Sequence, residues 1–294
     1  MSTVSLKSLV RAIVVQEDLN FFITNRIPRV AVTLWMNWWS RIRNPLVSVP
    51  SIALMRFFAR PNISESAETK FQSLHDCFIR KLKPGVRPVD PDPGLMTSPC
   101  DAIVGACGTV VGTQVHQIKG LTYTLSELLR DDVLVERYRD GQYVTLRLTA
   151  GMYHRFHAPA AGTVNHVTYI SGDTWNTNPI ALKRVDKLFC KNERALIQLT
   201  LTAGQHRVLL VPVASILVAS IRMHFLDVLL HLRYAGANEI PCSATVEKGE
   251  EMGWFELGST IVVFAPKGFA LCDHLQEGMH IKMGEPLIRL PRSE

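Results

Sequence analysis

Gln142–Thr149 reads QYVTLRLT, with Val144, Leu146 and Leu148 alternating with Thr145, Arg147 and Thr149. A period of two places one set of side chains on each face of a strand. Thr163–Ile170, Ala195–Thr202 and Thr260–Phe264 repeat the pattern. The longest uncharged run is Val208–Ile221, VLLVPVASILVASI. It falls short of the roughly 20 apolar residues that span a bilayer. Its β-branched content predicts two buried strands or one long bent strand. Between these segments the sequence predicts few helices: a short one over Leu125–Leu129, and one over Phe71–Leu82, where Phe71, Leu74, Phe78 and Leu82 have helical spacing. The expected class is α+β, with a β-rich antiparallel catalytic body preceded by amphipathic helices.

The chain has 294 residues, 47% hydrophobic and 20% charged, enough for a full core and unlike a disordered or fibrous chain. Six cysteines occur without a C-x-x-C pair or the Cys/His spacing of a zinc site, so they read as scattered thiols of a reducing compartment. Glu17 and Asp18 interrupt any apolar signal core, so no secretory leader is expected.

The net charge of +6 is carried entirely by residues 1–60, where eight bases face two acids. The same segment holds IPRVAVTLWMNWW (Ile27–Trp39) and IALMRFFAR (Ile52–Arg60). Large apolar residues interleaved with arginine suit a helix lying in an anionic membrane surface. The ordinary alternative is an amphipathic helix packed on the body. Nucleic acid is not an expected partner, since the rest of the chain is charge-balanced and carries no RNA-binding signature. The Pro- and Gly-rich KPGVRPVDPDPG precedes the strand-rich body; residues 1–70 are assigned to the membrane-association segment and 71–294 to the catalytic domain.

Three short segments carry candidate chemistry: Ser98-Pro99-Cys100-Asp101-Ala102, Tyr153-His154-Arg155-Phe156-His157-Ala158-Pro159 and Glu256-Leu257-Gly258-Ser259-Thr260. Each has an ordinary reading as a turn aspartate, a pair of structural histidines, and a tight turn. A metal would need a third ligand, and none of suitable type lies near, so no metal is expected. Together they supply a weak nucleophile (Ser259), a base (His157 or His154) and a carboxylate (Asp101). Gly258 before the serine leaves its carbonyl open to close approach.

In these motifs the sequence resembles the membrane-associated bacterial phosphatidylserine decarboxylases. The family patterns S-P-x-D-G, Y-H-R-x-H-x-P and L-G-S-T appear as SPCDA, YHRFHAP and LGST. FIRKLKPGVRPVD, KGLTYTLSELL, SGDTWNTNP, LFCKNERA and EKGEEMGWFELGST agree as well, so the resemblance runs from about Phe71 to the C-terminus. Two positions depart from the pattern: Ala102, where glycine is usual, and Met152, where an acidic residue is common.

The resemblance implies a self-processing enzyme. His157, oriented by Asp101, deprotonates Ser259, which attacks the Gly258 carbonyl. Cleavage leaves a β chain of residues 1–258 and an α chain of residues 259–294 headed by a pyruvoyl group made from Ser259. That group is the expected cofactor. It forms a Schiff base with phosphatidylserine and accepts electrons as carbon dioxide leaves. His154 is implied as the acid that reprotonates the product, phosphatidylethanolamine. The α and β chains form a heterodimer, with a dimer of these a family expectation. The implied location is peripheral, on the cytoplasmic face of the bacterial inner membrane. Two alternatives stand beside this: the same chemistry on another serine-headed lipid or a free amino acid, and a non-cleaving membrane scaffold.

Overall fold

The computed structural model describes residues 16–118, 120–217, 220–256 and 259–291 and, of Ser259, the backbone alone. Gly258 and residues 1–15 of the basic front end therefore lie outside the described residues. Its helices are α1 (Glu17–Asn25), α2 (Arg29–Ser40), α3 (Pro45–Ala59), α4 (Leu74–Phe78), α5 (Leu125–Leu129), α6 (Asp132–Tyr138), α7 (Pro179–Arg184) and α8 (Leu188–Lys191). Its strands are β1 (Leu95–Thr97), β2 (Ala102–Thr109), β3 (Gln114–Ile118), β4 (Leu121–Thr124), β5 (Gln142–Arg147), β6 (Arg155–His157), β7 (Gly162–Ile170), β8 (Arg194–Leu201) and β9 (Arg207–Ala214). They continue as β10 (Ser220–Met223), β11 (Leu229–His231), β12 (Glu239–Val246), β13 (Glu251–Phe255), β14 (Ser259–Ala265), β15 (Ala270–Leu271), β16 (His280–Ile281) and β17 (Pro286–Arg289).

An eight-stranded sheet, order β12-β7-β8-β9-β14-β5-β2-β16, forms the body. Every pairing within it is antiparallel. A second sheet of four strands, β11-β10-β13-β6, carries the histidine segment. The class is α+β, as the alternating segments predict.

The central strands are buried on both faces. Ile261 and Val263 of β14 enter one apolar cluster with Val144, Leu146 and Leu210. Val262 and Phe264 enter another with Tyr143, Leu209 and Val211, covered by α5–α8. Double burial is why VLLVPV and IVVF run apolar without alternation. Val208–Ile221 resolves into two strands, β9 and β10, which belong to different sheets.

Helix α4 is shorter than the Phe71–Leu82 spacing suggests. Ser73 caps its start by accepting from the Asp76 N–H at 3.0 Å. Its end is fixed by competition: residues 81–83 bridge to residues 65–67 through Ala67 N–H to Lys81 O and Lys83 N–H to Glu65 O, both 2.9 Å.

Helices α1–α3 reverse the usual polarity. Their buried residues are Asn25, Thr33, Ser40 and Ser48, all polar. Their exposed residues include Phe22, Trp35, Trp38 (62% exposed), Leu46 (86%) and Phe58. The body grips them by hydrogen bonds: Leu217 N–H to Thr33 Oγ1 and Asn176 N–H to Asn25 Oδ1, each 3.0 Å, and a fork from Arg29 to Asp173. A helix packed on a soluble body buries its apolar stripe instead. No helix among the described residues is long and apolar enough to cross a membrane.

Leu209 and Leu210 are consecutive on β9, fully buried, and face opposite clusters. Leu209→Ala and Leu210→Ala should each lower stability by about 2–5 kcal/mol in equilibrium denaturation. A sheet covered on one face would leave one of the two nearly neutral.

Candidate active site

Strand β13 runs antiparallel to β6, with Glu251 opposite His157 and Trp254 opposite Arg155. The Phe255 N–H donates to the His154 carbonyl at 3.0 Å. The chain leading toward Gly258 is thus zipped to the histidine segment. On the far side, the Ser259 backbone already pairs with Ala214 of β9, and Thr260 pairs with both Val213 and Arg147. The short link between the two sheets is where the sequence places Gly258 and Ser259.

His157 is buried, and its ring is fixed at both nitrogens. Nδ1 lies 2.9 Å from the Gly249 carbonyl and Nε2 lies 3.0 Å from the Tyr153 hydroxyl. A carbonyl only accepts, so Nδ1 carries the proton and Nε2 the lone pair. Burial lowers the pKa of His157, with the Gly249 carbonyl and the Glu251 and Asp101 charges opposing. The imidazole is therefore a neutral base whose Nε2 lone pair accepts from the Tyr153 hydroxyl.

Asp101 does not touch His157. Arg87 takes both its oxygens in a fork, at 2.8 and 2.6 Å, and the Met283 N–H donates to Oδ1 at 3.0 Å. The expected orienting contact is replaced by the Gly249 carbonyl, which occupies Nδ1. Asp101 acts on His157 through space, its charge favouring the imidazolium. Asp101 lines a recess of about 390 Å³ with Arg87, Arg80, Met152 and Tyr153, and His157 reaches it only through the Tyr153 hydroxyl.

His154 occupies a different setting. It is fully buried, stacked on Phe78 with ring centroids 3.8 Å apart, and among the described residues neither ring nitrogen has a well-formed hydrogen bond. Burial, then the Arg80 charge, pushes its pKa down to about 3, against a small opposing effect of the Met152 backbone. Phe78 also lines a cavity of about 300 Å³ with Leu148, Thr149 and Ser215. In the sheet register this cavity lies at the Ser259 end of β14, since Thr260 pairs with Arg147 and Ser259 with Ala214.

Several residues of the site have no role in the sequence reading, although they lie inside its motifs. Arg87 and Arg80 belong to FIRKLKPGVRPVD and Tyr153 to YHRFHAP. Arg80 donates to the Gly151 and Met152 carbonyls at 2.9 and 3.2 Å, while its buried Nε has no partner. Met152 stands where the family pattern favours an acid, so carbonyl dipoles are all that Arg80 meets there. Gly151 lets the end of α3 pass close by: a Cβ at that position would stand 2.1 Å from the Ala59 carbonyl oxygen. Glu256, two residues before Gly258, is buried between His75, Arg41 of the C-terminal end of α2, and the Trp254 indole. Burial would raise its pKa; His75 and Arg41 overcome this and hold it low.

A β-rich antiparallel enzyme with a buried, neutral histidine pair beside a strand crossing between its two largest sheets is the class that fold and site define. Comparison with known proteins fixes the family. The family model described as phosphatidylserine decarboxylase matches residues 74–289. The chain is 35% identical over 266 residues to a phosphatidylserine decarboxylase proenzyme of Myxococcus xanthus, covering 88% of this chain and 94% of that one. It is 36% identical over 218 residues to the proenzyme of Marinobacter nauticus, covering 70% and 74%. It is 34% identical over 257 residues to that of Vibrio cholerae, covering 80% and 86%. The chain belongs to the phosphatidylserine decarboxylase family, and it is a decarboxylase.

The depressed pKa of His154 has a signed consequence for stability. Above the ordinary value of 6.5 the ring is neutral in folded and unfolded chains alike, and pH has no effect through it. As pH falls from 6.5 toward 3, the unfolded chain takes the proton and the folded one does not, so stability is lost. The loss is at most ~1.4 kcal/mol per pH unit for one group. His154→Phe, which keeps the stack on Phe78, should make the thermal-unfolding midpoint fall less steeply across this range. An unchanged slope would show that the imidazole is not held neutral.

Proposed function

We propose that this chain cuts itself between Gly258 and Ser259 and then decarboxylates phosphatidylserine to phosphatidylethanolamine at a membrane surface. The observation that carries the reading is the strand crossing: the segment entering Gly258 is zipped to the histidine strand, while Ser259 is already locked into the central sheet.

In the first stage His157 Nε2 takes the proton of the Ser259 hydroxyl, whose oxygen attacks the Gly258 carbonyl carbon. The peptide C–N bond breaks as the ester C–O bond forms, and the amine keeps the returned proton. Loss of the Ser259 α-proton then expels the Gly258 carboxylate and leaves dehydroalanine. Water adds and ammonia leaves, giving a pyruvoyl group. Asp101 stabilises the imidazolium through space, and Tyr153 holds the ring until the serine hydroxyl replaces it at Nε2.

The surroundings fit such a group. The cavity of about 300 Å³ lies at the Ser259 end of β14, and buried His154, with its ring nitrogens unbonded, lies against the Phe78 wall of that cavity. The pyruvoyl carbonyl supplies an electron sink for the departing carboxyl group. His154 is the residue proposed to hand a proton to the product carbon. Burial first, and the Arg80 charge second, keep it neutral in the free protein, and an entering anion raises its proton affinity.

The pieces stay together after cleavage. β14 lies between β5 and β9, β16 pairs with β2, and β17 pairs with β1, so the α chain is woven into sheets made by the β chain. The polar-in, apolar-out helices α1–α3 suit a peripheral seat on an anionic leaflet, with Trp35, Trp38, Leu46 and Phe58 in the acyl boundary.

Release of labelled carbon dioxide from carboxyl-labelled phosphatidylserine in anionic vesicles tests the reading. The wild type should release it, and Ser259→Ala and His157→Gln should not. Trp35→Ser with Trp38→Ser should lower activity on vesicles by about tenfold or more while sparing a short-chain soluble phosphatidylserine. Turnover of free serine in preference to lipid would move the substrate to a soluble amino acid. No turnover of either would favour a membrane scaffold.

A further inference from the structure

Arg147 ends β5 in the middle of the eight-stranded sheet, opposite Thr260 of β14 and Ile103 of β2. Among the described residues it has no hydrogen bond, ion pair or ring partner, although it is largely shielded from water. Burial lowers its pKa, and no charged neighbour acts to restore it. Two further polar groups share its face: the Thr145 hydroxyl, two residues back on the strand, and the Thr260 hydroxyl, directly across the register. Both are buried, and neither has a hydrogen-bond partner among the described residues.

A shielded cation without a counter-charge is costly, and a protein that keeps one has something else to balance it. Arg147 lines the cavity of about 300 Å³ at the Ser259 end of β14, and also a smaller one of about 180 Å³. Glu277 lines the smaller cavity too but forms no ion pair with it. The cationic side of the candidate substrate cavity is therefore open to an anion.

We propose that Arg147 binds the phosphodiester of the lipid headgroup and so sets selectivity for a phospholipid over a free amino acid. The proposal rests on the decarboxylase reading of the same cavity. The headgroup offers two anions, and the reaction separates them. The carboxylate loses its charge as carbon dioxide leaves, so a cation upon it would stabilise the ground state more than the transition state and slow the reaction. The phosphodiester carries the same charge in substrate, transition state and product. A guanidinium there tightens binding uniformly, and its planar fork matches two phosphoryl oxygens. Arg147 is accordingly a binding and specificity residue, with its signature in KM.

The test compares self-processed wild type, Arg147→Gln and Arg147→Lys, each checked for cleavage by mass, on phosphatidylserine in mixed micelles. Arg147→Gln should raise KM about tenfold or more with kcat within about twofold, and Arg147→Lys should fall between. Calorimetric titration with sn-glycerol 3-phosphate, which needs no turnover, should show binding to the wild type and none to Arg147→Gln. Equal KM and equal binding in all three proteins would overturn the proposal. A changed kcat with KM intact would overturn it too, by placing the guanidinium on the carboxylate. If Arg147→Gln fails to fold or to process, the Lys variant and the wild-type titration decide. A wild type that binds glycerol phosphate but decarboxylates no phosphatidylserine would sink the function proposed above and leave the anion site standing.

Discussion

Strand β14 is hydrogen-bonded on both sides from its first residues, to β9 and β5, and it is buried on both faces. Strand β13, only a few residues earlier, is committed to a different sheet beside β6. Only residues 256–258 separate the two strands. This constraint organises the rest of the molecule. It pairs β13 with the histidine strand β6, and it seats the C-terminal strands β14, β16 and β17 against β5, β9, β2 and β1. It also explains the polar residues gathered at the crossing: Glu256 is clamped by His75, Arg41 and Trp254 just before the link.

The same clamp ties the front end to the chemistry. Arg41 follows α2, and Ala59 of α3 passes over Gly151, next to the histidine segment. Helices that turn Asn25, Thr33, Ser40 and Ser48 inward and Trp35 and Trp38 outward are held on this body largely by hydrogen bonds and ion pairs, with Phe21 packed against the core. Their outer surface leaves Trp35, Trp38, Leu46 and Phe58 exposed. One set of contacts thereby joins the exposed apolar face of the front helices to the site.

Much of this was legible in the sequence, for identifiable reasons. Alternation in QYVTLRLT and the double burial behind VLLVPV are local patterns, and they named β5 and β9. The basic, tryptophan-rich front end was visible as a composition. Asp101, His154, His157, Gly258 and Ser259 stood out as residue types in short motifs; the structure sets Asp101 in a recess beside Tyr153, the hydrogen-bond partner of His157, and His154 behind Phe78 at another cavity. What could not be read was who bonds whom. The Gly249 carbonyl on His157 is a backbone group 92 residues away, with no signature in its side chain. Arg87 capturing Asp101 depends on how a proline-rich loop folds back. The overlong expectation for α4 failed because residues 81–83 found extended partners in residues 65–67, a non-local competition that helical spacing does not register.

The central claim is that the chain makes its own reactive group at the crossing between the two sheets. Intact mass spectrometry of the purified protein beside its Ser259→Ala variant tests it most directly. The account predicts two non-covalently held fragments from the parent, meeting between residues 258 and 259, with the smaller lacking a free amino group and carrying the mass of a pyruvoyl terminus; the variant stays whole. A single full-length mass for the parent under conditions where it is folded and membrane-bound would contradict it.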